Sequence, residues 1–142
     1  MAHVINMTLM AYCLIAGGVY LLVVTLAHEW LGRKLDMAKG IPPAQREAWG
    51  PAAFVVGYVM EGLFFVAIPT LAYSFFTAVL PLAGIRTGLA LALTGFVLGG
   101  VPAIMGLSLR VRLWMPHLLY FLLGLLLKLG GCLAIIGYLY SL

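Results

Sequence analysis

Four long apolar stretches, near 4–27, 51–79, 87–107 and 113–140, constrain this chain more than any other feature. Each has the length, about 20 residues, needed to carry a helix across a hydrocarbon layer of about 30 Å. They are continuous and do not alternate with the two-residue period of a barrel strand, so helices are expected. The expected fold class is all-α, a polytopic membrane protein with four transmembrane helices. So little chain lies between the stretches that 1–142 is expected to be a single four-helix domain.

Composition agrees. Only 8% of the 142 residues are charged and 65% are hydrophobic, too few charges to clothe a water-soluble domain. Two cysteines exclude a disulfide-dense scaffold. The net charge of +4 is small and reads as topology, not as a nucleic-acid partner. The amino end lacks the basic start and small-residue cleavage site of a secretory signal, so the first span is expected to be retained.

The polar connection 28–50 carries Glu29, Arg33, Lys34, Asp36, Lys39, Arg46 and Glu47. Within it Trp30, Leu31, Leu35 and Ala38 fall at helical spacing, so the first helix is expected to run on as an interfacial turn or two. Gly40-Ile41-Pro42-Pro43 ends it, and a short helix is expected over 44–49. Six Lys and Arg residues (Arg33, Lys34, Lys39, Arg46, Arg110, Arg112) share one side of the bundle, against Arg86 on the other. By the positive-inside rule loop 28–50 is cytoplasmic and the topology N-out/C-out. Trp30, Trp49 and Trp114 fall at that same boundary, with Tyr138 and Tyr140 at the opposite one. The second stretch exceeds the bilayer core, and Pro69 is expected to kink it.

Two ionisable residues sit inside apolar runs: Glu61 in the second stretch and Lys128 in the fourth. A charge in lipid costs about 2.5–3.5 kcal/mol on insertion scales, so both should face protein or a wet cavity. Both helices run in the same direction, and the two residues differ in depth by about 7 Å at 1.5 Å per residue, nearly a lysine's reach. A Glu61–Lys128 pair is therefore expected if these helices are neighbours. It could fix packing, form an ion or proton path, or bond another subunit or ligand.

His28 and His117 both fall near the cytoplasmic boundary and could ligate a haem or another metal, or serve as ordinary interfacial residues. His28-Glu29-Trp30-Leu31-Gly32 begins like a zinc-protease helix, but Gly32 stands where the second histidine is needed, and no metal site is expected from it. Cys13 and Cys132 are of similar depth and are read as packing residues. No phosphate-binding loop, Cys-x-x-Cys or Gly-x-Ser-x-Gly is present, and no enzyme activity is expected. Gly95-x-x-x-Gly99 marks a helix-packing face on the third helix, and Gly124 and Gly131 mark one beside Lys128. Asn6, Thr8, Tyr12, Tyr20 and Thr25 suggest a protein-facing side of the first helix. Pro51 and Pro116, each near the start of its helix, allow a parallel duplication of two helical hairpins.

Leu31-Gly32-Arg33-Lys34 running into Lys39-Gly40-Ile41-Pro42-Pro43, Gly88 opening a Gly-rich third helix, and His117-Leu118-Leu119-Tyr120 opening a helix with Gly124 resemble a bacterial domain-of-unknown-function family of small four-helix integral membrane proteins. The likeness spans about three-quarters of the chain. It implies four spans in a bacterial inner membrane and no particular activity; Lys128 is not expected in that family.

Three functions follow as expectations. The first is a non-catalytic subunit or assembly partner of a larger membrane complex, with energy-converting complexes among the candidates, bound to other subunits or to copies of itself in the lipid bilayer. The second is a small oligomeric ion- or proton-coupled transporter using Glu61 and Lys128. It requires a polar cavity that reaches both side chains. The third is a haem- or quinone-binding redox subunit using His28 and His117.

Overall fold

A computed structural model describes residues 6–41, 50–77, 83–111 and 113–142. It contains four helices long and apolar enough to cross a membrane: α1 (Met7–Lys34), α2 (Pro51–Phe76), α3 (Ile85–Val111) and α4 (Met115–Leu139). The described residues contain no strand. The short helix expected over 44–49 and the expected end of the second stretch at 79 lie outside the described residues, as does Arg112.

Local chemistry sets the helix ends. The Asn6 side chain accepts from Leu9 N at 3.1 Å and caps the start of α1. α1 runs to Lys34, seven residues past the apolar stretch. It stops where Asp36 adopts a left-handed conformation (φ 52°), which a short polar side chain tolerates. A 3-10 turn, Met37–Gly40, follows. Pro51 and Pro116 sit in the first turns of α2 and α4, where a missing N–H costs nothing.

Pro69 and Pro102 fall inside helices, and the backbone meets both in the same way. A π-helical turn, Leu63–Ala67 in α2 and Phe96–Gly100 in α3, precedes each proline by two residues. The N–H of Ile68 reaches Leu63 O, and that of Val101 reaches Phe96 O, one residue further back than in an α-helix. The wider turn loosens the backbone just ahead of a residue that cannot donate and whose ring crowds the preceding carbonyl.

α4 organises the bundle. It packs most extensively on the first half of α3 and on α1, and α2 packs on α1 and α4. α2 and α3 share no packing seam among the described residues. In the half distant from loop 28–50 the described residues pack around Cys13, Tyr73, Ala92, Leu133 and Ile136, with a second cluster of Leu21, Val66 and Cys132. The helix seams there combine close approach with interhelical hydrogen bonds. Backbones touch where Gly84 N donates to Gly137 O at 2.8 Å and where Gly88 lies on the Leu133 carbonyl. Tyr20 Oη donates to Leu127 O at 2.9 Å, with its ring over Gly131, and Tyr58 Oη donates to Gly18 O at 2.7 Å. Tyr58→Phe should lower stability by about 0.5–1 kcal/mol in a reversible detergent unfolding titration.

Two expectations about helix faces shift. In a regular α-helix Gly95 and Gly99 would share a face with Gly88 and Ala92. The π turn rotates the chain after Gly95, so the α4-facing stripe runs Gly88, Ala92, Phe96 and Gly100 instead. Gly95 touches only the edge of Leu129, and Gly99 has open space beside it. On α1 the buried stripe is Cys13, Gly17, Leu21 and Thr25, which leaves Tyr12 and Thr8 exposed.

Candidate functional site

Glu61 is ten residues into α2 and Lys128 thirteen into the parallel α4, so their depths differ by about 4.5 Å at 1.5 Å per residue. The lysine stem spans this. Lys128 Nζ donates to Glu61 Oε1 at 2.5 Å, and Thr25 Oγ1 of α1 donates to Glu61 Oε2 at 3.1 Å. Three helices thus converge on one carboxylate, each of whose oxygens has accepted one hydrogen bond. The pair is unevenly shielded: the Lys128 side chain is 10% exposed and that of Glu61 31%. What the pair presents outward is the carboxylate.

It faces a cleft of about 550 Å³. The walls come from all four helices, but only from their halves nearest loop 28–50: Ala53 to Phe65 of α2, Ile104 and Leu107 of α3, Tyr120 to Lys128 of α4, and Thr25, His28 and Glu29 of α1. The cleft therefore ends at mid-bundle on the Thr25–Glu61–Lys128 triad, and the clusters around Cys13 and Leu21 lie beyond. It lies where α2 and α3 share no packing seam among the described residues. A second cleft of about 700 Å³ at the loop end, under Arg33, Asp36, Met37 and His117, shares the wall formed by Glu29, Tyr120 and Phe121.

The two histidines belong to different clefts. His28 lines the first, stacked on Tyr120 with ring centroids 3.8 Å apart. Its Nε2 donates to Tyr120 O at 3.0 Å while Tyr120 Oη donates to His28 O at 2.5 Å, a reciprocal clasp between α1 and α4. The imidazole occupies the hollow left by Gly124, where any Cβ would lie 2.5 Å from Nε2. His117 is buried beneath the 3-10 turn, its Nε2 directed at Met37 O. Both Nε2 atoms are thus committed to backbone carbonyls. No group of three or more His, Cys, Asp or Glu able to hold a metal occurs among the described residues. Cys13 and Cys132 are free thiols in separate apolar clusters.

Sequence reasoning singled out Glu61 and Lys128 but passed over Thr25 as a partner, Glu29 at the mouth and the aromatic walls. Thr25 was findable, because it continues the i, i+4 stripe of Cys13, Gly17 and Leu21. The aromatic walls carry no such signal, since ring-lined faces are common in any bundle. Compared with protein-family models, curated proteins and solved structures, the chain matches none.

Proposed function

We propose that the protein is a small carrier of the bacterial inner membrane, working as an oligomer, N-out/C-out, with Glu61 and Lys128 as a proton- or cation-coupled site. One observation carries this reading: a cleft in the half of the bundle nearest loop 28–50 has the ion pair at its inner limit, with the packed clusters of Cys13 and Leu21 beyond it among the described residues. Such a shape gives one-sided access to a charge that would otherwise be costly at mid-membrane. Glu61 holds either Lys128 or an arriving cation, and a proton on its carboxylate removes the negative charge that holds the ammonium. Thr25, His28 and Glu29 face the same space and complete its polar lining. A pH jump applied to the protein reconstituted on a supported membrane should displace charge, and Glu61→Gln should cut that transient current at least tenfold. No current from the wild type, or an undiminished one from the variant, would overturn the proposal.

A second reading, a non-catalytic subunit of a larger membrane complex, is favoured by α3. Beyond Gly100 its packing among the described residues is on α4, and open space lies beside Gly99 and Gly106. It expects partner polypeptides to co-purify from the native membrane in mild detergent.

A further inference from the structure

The cleft discriminates by charge and by surface. Among the described residues two carboxylates line it, Glu29 toward loop 28–50 and Glu61 at the base, against one permanent cation, Lys128, already bonded to Glu61. The His28 Nε2–H is given to Tyr120 O, and the carboxylates outnumber the lysine among the described lining residues, with Arg33 one helical turn beyond Glu29. The exposed member of the inner pair is again the carboxylate. Between these two charges the walls are aromatic: Phe54, Tyr58 and Phe65 from α2, Tyr120 and Phe121 from α4. The two tyrosine hydroxyls are spent on the carbonyls of Gly18 and His28, so these side chains offer the cleft ring surface and no donor. Ring faces attract cations and repel anions, and the attraction grows where water is thin. A volume of about 550 Å³ is that of a drug-sized ligand site, far larger than a bare ion needs.

From this juxtaposition we infer that the cleft binds a hydrophobic monovalent organic cation, its charge set between Glu61 and Glu29 and its apolar body against the five rings. The inference rests on the carrier reading and names its substrate class. An inorganic cation would leave the aromatic walls unused, and an organic anion would meet the carboxylate oxygens of Glu61 and Glu29.

Tetraphenylphosphonium and tetraphenylborate test the assignment, because they share shape and apolar surface and differ in the sign of the charge. Equilibrium binding of each to the full chain in phosphatidylcholine nanodiscs, against protein-free nanodiscs, should give saturable binding of about one phosphonium per chain and none of the borate. Glu61→Gln should weaken the phosphonium at least tenfold. Glu29→Gln, which leaves the inner pair intact and so does not threaten the fold, should weaken it several-fold. Saturable borate binding of equal strength, no saturable binding of either ion, or phosphonium binding untouched in both variants would each overturn the inference. The outcome is separable from that of the carrier reading: a wrong substrate class leaves the Glu61-dependent pH-jump current in place, whereas a wrong carrier reading abolishes the dependence itself.

Discussion

Gly88→Ala should destabilise the bundle by about 3 kcal/mol or more, one of the largest effects expected of a single methyl group in this chain. An ideal Cβ at Gly88 falls on the Leu133 carbonyl of α4, 2.8 Å from its carbon and 3.1 Å from Ala134 Cα. These are backbone atoms in mid-helix, which cannot turn aside as a side chain would. The methyl must push α3 from α4 along the seam where Gly84 N bonds Gly137 O. Among the described residues α3 packs mainly on α4, so loss of this contact loosens it. Gly99→Ala and Gly106→Ala are the matched controls: no atom lies within 4 Å of either new methyl, and both should leave stability unchanged or slightly raised through helix propensity. Unfolding titrations of the three variants in one detergent would check the ordering.

Lys128→Met should cost about 2–3 kcal/mol. Removing one partner of a buried pair usually costs about 3–5 kcal/mol because the other charge is left uncompensated. Here Glu61 is about a third exposed to the cleft and keeps its bond from Thr25, so the loss is smaller. Adding Glu61→Gln to Lys128→Met should restore most of the stability, since it removes the stranded charge while retaining an acceptor for Thr25. A double-mutant cycle with coupling of about 1–3 kcal/mol is the expected result. Additive losses would mean that the two side chains do not interact in the folded protein.

These two predictions rest on features that differed in legibility. Glu61 and Lys128 stood out in the sequence because nothing apolar explains a charge within a 20-residue hydrophobic run, and the shared direction of their helices allowed depths to be compared. The seam around Gly88 was obscured by a better-known motif. Gly95-x-x-x-Gly99 is the visible small-residue pattern, but it lies just where the π turn changes the helical period, and the turn is placed by Pro102, several residues downstream. Face assignments that assume 3.6 residues per turn slip by one position there. The clasp between His28 and Tyr120 was beyond reach for another reason: its partners are 92 residues apart, and only packing can bring them together. The cleft is more remote still, being the space between two helices that do not meet.

The central claim is that the ion pair is reached from one end of the bundle and sealed from the other. Gly57 lines the cleft one turn before Glu61 and has room for a side chain, so Gly57→Cys places a thiol on the path without a steric cost. Cys13 and Cys132 are fully buried and should stay silent. In sealed vesicles of known orientation, a membrane-impermeant maleimide should label Gly57→Cys from the side that carries loop 28–50 and not from the opposite side, and tetraphenylphosphonium should slow the reaction. Equal labelling from both sides, or from the far side alone, would contradict the one-ended cleft on which the account stands.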